Sequence, residues 1–77
     1  MTRYFFNVHD GRHIIDEIGT DLPDIAAVRQ EAVRSATDLL HANRDIDLWN
    51  GQEWKMVVTD GDGAEVLTLR FSGSSRE

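Results

Sequence analysis

The residues with the greatest chemical capacity in this sequence stand together near its start: His9, Asp10, His13 and Asp16, within FFNVHDGRHIID. Imidazole and carboxylate groups ligate zinc, manganese and iron, and histidine also moves protons near neutral pH. Ligands must converge, however, and strand side chains alternate between faces. If Asp10 and Gly11 make a two-residue turn, His9 pairs with Arg12 and His13 falls on the neighbouring position. With a three-residue turn, His9 faces His13 directly. Only the second register joins the two imidazoles, and two imidazoles alone fall well short of a structural zinc site. Solvated turn histidines are the expected state, with no metal and no cofactor. Metal binding through His9 and His13 stands as the less favoured alternative.

The other candidates for chemistry are argued down in the same way. DGDG at 60–63 resembles the opening of a calcium loop, but Phe71 stands where that loop closes with a bidentate glutamate. A hairpin turn explains both glycines without a cation. Ser35 falls in a helical pattern, Ser72, Ser74 and Ser75 lie at the end of the chain, and no GxSxG elbow is present. Asp16 and Glu17 are neighbours on a strand and point to opposite faces. Neither GxGxxG nor GxxxxGK[ST] occurs. The expectation is a protein that is not an enzyme.

The elements that would position these residues can be read from periodicity. Residues 4–8 alternate Tyr4, Phe6 and Val8 against Phe5, Asn7 and His9, as a half-buried strand does. HDGR at 9–12 supplies a turn, and 13–18 returns as the second strand of a hairpin. GTDLPD at 19–24 reads as a helix entry: Asp24 caps the first turn, with Leu22 as the staple, or Asp21 caps and Pro23 sits in the first turn. Ile25, Val28, Ala32, Ala36, Leu39 and Leu40 then mark the apolar stripe of a helix running to about His41 or Asn43. After the polar stretch NRDIDLWNGQ, Trp54, Met56 and Val58 alternate with Lys55, Val57 and Thr59. DGDG turns the chain, and 64–72 returns with Glu65, Leu67, Leu69 and Phe71 on one face and Val66, Thr68 and Arg70 on the other.

The order ββαββ gives an α+β fold: a four-stranded antiparallel sheet with one helix packed on one face. Residues 1–72 form the single domain, and 73–77 have the composition of a flexible tail. The uncovered face would show Phe5, Val57 and Val66. With Trp49 from the connection, these are the candidate interaction surface. Base stacking on the YFF run at 4–6 is the weaker reading, since such platforms lie in basic surroundings.

Composition narrows the classes further. The chain has 77 residues, enough for one small core, and so small a core often gains stability by pairing with a second copy. It has no cysteine, which excludes disulfides and thiolate metal sites and fits a reducing compartment. No apolar run approaches the ~18 residues of a membrane span, and no secretory pattern opens the chain, so a cytoplasmic protein is expected. The net charge of -6 weighs against nucleic acid and anionic membranes.

Across residues 2–72, the opening RYFF-x-VHDG, the LPD helix entry and the hairpin WKMVVTDGDG make the chain resemble a family of short alphaproteobacterial proteins known as a domain of unknown function. The resemblance implies a bacterial, stand-alone domain and carries no activity over. The function expected is a non-enzymatic protein-interaction or regulatory module that pairs with itself, through the uncovered face or an edge strand, and with another protein. The alternative is an antitoxin-like or nucleic-acid-associated regulator, which a basic face gathering Arg3, Arg12, Lys55 and Arg70 would favour.

Overall fold

A computed structural model describes residues 1–11, 13–42, 48, 49, 51 and 53–76. Arg12 and most of the polar connection at 43–52 lie outside the described residues. The elements are β1 (Thr2–His9), β2 (His13–Ile14), β3 (Thr20–Leu22), α1 (Ile25–Ala42), β4 (Trp54–Thr59) and β5 (Glu65–Phe71). All pairings are antiparallel, the main path is β2-β1-β4-β5, and β3 also pairs with β1. The protein is thus α+β with one helix, as its periodicity predicts, but its sheet has five strands instead of four.

The extra strand arises because the expected return at 13–18 is broken. Val8 pairs with Ile14, whereas Tyr4 pairs with Thr20. Between these pairs Phe5, Phe6 and Asn7 of β1 face the five residues 15–19, two more than a continuous ladder holds. The return therefore leaves the sheet after Ile14 and rejoins it at Thr20, with Gly19 at φ 78° turning the chain back.

The helix begins where its cap predicts. The Asp24 carboxylate accepts the Ala27 N–H at 2.9 Å, and the Asp24 carbonyl accepts the Val28 N–H at 3.2 Å. Val28, Ala32 and Ala36 are buried against Val8, Trp54, Met56 and Val58, with Leu22, Leu40, Leu67, Leu69 and Phe71 around them. The stripe is narrower than its sequence spacing implies, because Ile25 and Leu39 both stay exposed. Trp54 and Phe71 close one end edge-to-face, their ring centroids 5.3 Å apart. Among the described residues, no helix is long and apolar enough to cross a membrane.

The second hairpin turns at Asp60, whose side chain accepts the N–H groups of Asp62 (2.9 Å) and Ala64 (3.1 Å). The ladder then slips between Val58 and Thr59: Val58 pairs with Leu67 but Thr59 with Glu65, leaving Val66 as an extra residue in β5. The bulge turns Val66 to the helix side, where it packs on the core. Glu65 moves to the other face, opposite Thr59. The expected alternation, with Glu65 beneath the helix and Val66 open, is reversed at these two positions.

Because Ala36 is fully buried where helix and sheet approach closely, Ala36→Leu should cost about 1–3 kcal/mol. Urea unfolding measures this as a lower midpoint at unchanged m-value, and a neutral substitution would contradict the packing described.

Candidate functional site: the helix-free face

With α1 on one side, the other side of the sheet carries Phe5, Asn7 and His9 from β1, Lys55, Val57 and Thr59 from β4, and Thr68 and Arg70 from β5. Residues 15–19 fold over one margin of this face, and Asp16 fixes them. Its carboxylate accepts three backbone N–H groups, from Phe6 (3.1 Å), Ile18 (3.1 Å) and Gly19 (3.0 Å). The bond to Phe6 replaces the ladder partner that β1 loses where the return strand departs. Burial pushes the Asp16 carboxyl up, but the N–H groups of Gly19, Phe6 and Ile18 and the nearby Arg3 outweigh it and hold the group below the usual carboxylate range.

Asn7 connects this segment to β4. Its Oδ1 accepts the Asp16 N–H at 3.0 Å, and its Nδ2 donates to the Val57 carbonyl at 3.2 Å and to Thr59 Oγ1 at 3.4 Å. Arg3 clamps the far end, donating from Nη1 to the Ile18 carbonyl at 2.8 Å and from Nε and Nη2 to the Asp21 carboxylate. Gly19 lies flat on Phe5: a methyl group there would come within 2.8 Å of Arg3 Cγ and 2.9 Å of Phe5 Cε1.

Between this segment and the β4–β5 turn lies an open cleft of about 410 Å³. Phe5 and Val57 form its apolar floor, Ile15 and Asp16 one wall, and Asp60 and Glu65 the other, with His9 at one end. Of the four residues expected to form an interaction surface, Phe5 and Val57 therefore meet. Phe5 is half-buried and Val57 buried, so they are floor and not protrusion. Val66 belongs to the core side. Trp49 is 67% exposed and lies away from the cleft, over Gly73, whose backbone its ring covers.

The register question at the first hairpin is settled by the pair His9–His13, which makes the turn three residues long with Gly11 at φ 94°. The rings meet edge-to-face at 4.4 Å between centroids. Among the described residues no third histidine or carboxylate joins them in a group that could hold a metal. Burial first, then His13 and Lys55, lower the His9 pKa, against an opposing pull from Glu65. Three successive pairings, His13 with His9, His9 with Lys55, and Lys55 with Arg70, set four basic side chains in one row across four strands. Sequence reading grouped Lys55 and Arg70 with Arg3 and Arg12 as a candidate basic face and missed their alignment with His9 and His13, since the four come from separate segments and share a face only once all three registers are known.

Asp16→Ala removes the acceptor of three N–H groups and should destabilise the fold by about 2 kcal/mol or more in urea unfolding at neutral pH. As the folded-state pKa is depressed, this contribution is complete above the unfolded carboxyl value and fades as pH falls through the lower folded one. The stability difference between wild type and Asp16→Ala should therefore shrink on acidification below about pH 4. A constant gap would refute the carboxylate's role. Gly19→Ala should also destabilise, through both its φ of +78° and the contact with Phe5.

No curated protein and no solved structure matches the chain. A family model described as Domain of unknown function (DUF6894) matches residues 3–72, nearly the whole of the chain and all of its strands and helix except Thr2 of β1, and the protein belongs to that family.

Proposed function

We propose that the protein is a non-enzymatic, cytoplasmic interaction module of regulatory type, that its first partner is a second copy of itself, and that the copies join through β5. The observation that carries this reading is the outer edge of β5, which no strand among the described residues pairs, set beside an apolar groove of about 340 Å³. Leu67, Thr68 and Leu69 form one side of the groove, and Arg29, Ala32 and Val33 of α1 the other. Val33 is 55% exposed, apolar surface that a neighbour would cover. The groove is centred on Thr68, so an antiparallel pairing with its two-fold axis at Thr68 joins the two grooves and sets Leu67 of each copy opposite Leu69 of the other. The bulge at Val66, which falls opposite Arg70 of the other copy, ends the pairing on both sides of the axis. The helix-free face stays open in such a dimer and is available to a further protein.

The nucleic-acid reading gains less support. Of the four cations expected to gather, Lys55 and Arg70 pair, but Arg3 is held by Asp21 six residues of β1 away from the His9–Lys55 pair. Arg12 lies outside the described residues, so no extended basic face is formed among the described residues.

Sedimentation equilibrium tests the reading. The wild-type mass should double with rising concentration, and Thr68→Asp, which sets two carboxylates opposite each other, should weaken association at least about tenfold while circular dichroism stays unchanged. An equimolar mixture of Thr68→Asp and Thr68→Lys should recover the doubled mass. A wild type that stays monomeric to about 1 mM, or a mixture that fails to associate, overturns the β5 dimer.

A further inference from the structure

The row His13–His9–Lys55–Arg70 has an energetic peculiarity. Directly opposed residues of antiparallel strands stand close, and like charges in such positions repel. Here Lys55 faces Arg70, and Lys55 also faces a histidine whose other neighbour is a histidine. At the usual strand spacing the four positions span about 14 Å, and they belong to the face that no helix covers. A chain with a net charge of -6 has many acids with which to break up such a row, yet the row holds none. The acids set against it are peripheral: Glu53 lies 3.6 Å from Arg70, with both side chains more than half exposed, and Glu65 acts on His9 from across the cleft.

We propose that this row is a binding site for a compact oxyanion of about two negative charges, a phosphate group above all, held by the Lys55 ammonium and the Arg70 guanidinium with His9 and His13 as further N–H donors. Lys55 offers a point charge and Arg70 a planar fork, the two complementary ways of holding a tetrahedral oxyanion. The paired rings of His9 and His13 extend the donor set, and His9 makes it sensitive to pH. The groups facing His9 are His13 from β2, Lys55 from β4 and, across the cleft, Glu65 of β5. An anion seated on the row would favour the imidazolium form that burial and the neighbouring cations now oppose. In the β5 dimer the row stays on the open, helix-free side while the groove is covered on the helix side, and Arg70 stands at the end of the pairing. The variant Thr68→Asp therefore separates the two: it should weaken association and leave His9, His13 and Lys55 in place.

The test is a titration of the full chain in chloride buffer at constant ionic strength, followed by amide chemical shifts and by melting temperature. Inorganic phosphate should give saturable shifts centred on His9, His13, Lys55 and Arg70, and should raise the melting temperature. Sulfate, whose charge is constant in this range, should bind several-fold more tightly at about pH 6 than at about pH 8. The double variant Lys55→Gln, Arg70→Gln should bind at least about tenfold more weakly, yet melt no lower than wild type in chloride alone, since it relieves repulsion. A short peptide bearing phosphoserine tells a phosphorylated partner from a free anion. Binding about tenfold tighter than phosphate assigns the partner, and equal binding assigns the free anion. Absence of saturable shifts with phosphate, or undiminished binding by the double variant, overturns the site. Tighter binding of a single-stranded oligodeoxythymidine than of either probe overturns the compact anion in favour of a nucleic-acid backbone.

Discussion

The carboxylate of Asp16 is the contact on which the organisation of this small sheet depends. A strand returning beside β1 in a single register would make an ordinary hairpin, with 15–19 inside the sheet and no wall on its open side. The return instead carries two surplus residues, and a surplus leaves donors of β1 without partners. Asp16 supplies the missing acceptor to Phe6 and in the same stroke ties down the Ile18 and Gly19 amides. One ionised side chain thus lets the chain leave the ladder and re-enter it with the Phe6, Ile18 and Gly19 amides bonded. The cleft exists because the excursion it stabilises stands up as a wall.

A second constraint is the scarcity of covering structure. One helix of 18 residues shields one side of the sheet, with Ala32 and Ala36 letting its axis approach Met56 and Val58. The other side must be compatible with water, and it is: apart from Phe5 and Val57, strands β1, β4 and β5 present Asn7, His9, Lys55, Thr59, Thr68 and Arg70 there. The bulge at Val66 serves the same division, bringing an apolar side chain to the covered side and sending Glu65 to the open one. Helix-side burial and open-side polarity are two consequences of the same register.

What could be read in advance followed from local rules. Asp24 caps its helix because a short carboxylate before an apolar stripe has few better acceptor roles, and DGDG turns because Asp60 can bond the amides that follow it. Trp54, Met56 and Val58 alternate inward over an unbroken strand, so period two sufficed. The failures share a different cause. The surplus at 15–19, the bulge at Val66 and the turn length at Gly11 are properties of register, which depends on how two segments fit together. His9, Lys55 and Arg70 are each unremarkable within their own strands. The hydrogen-bonding role of Asp16 left one local trace, an aspartate three residues before a glycine that takes positive φ, which reads as an Asx-type turn only once the excursion is known.

The distribution of charge on the open face bears on what it can receive. The basic row occupies the end nearest the first hairpin, whereas Asp16, Asp60 and Glu65 line the cleft toward the other end. Along β1, His9 and Phe5 are four residues apart, about 13 Å at the usual rise of a strand. That exceeds the screening length of about 8 Å at physiological ionic strength, so acids at the Phe5 end act weakly on Lys55 and Arg70, while Glu65 still reaches His9 across the cleft. A small anion on the row would feel Lys55 and Arg70 far more than the distant acids. A long polyanion laid along the strands would gain at one end and be repelled at the other, and the net charge of -6 would slow its approach. The arrangement discriminates by length of charge, and it favours a ligand whose anionic part is short, or a protein whose surface alternates in sign over the same distance.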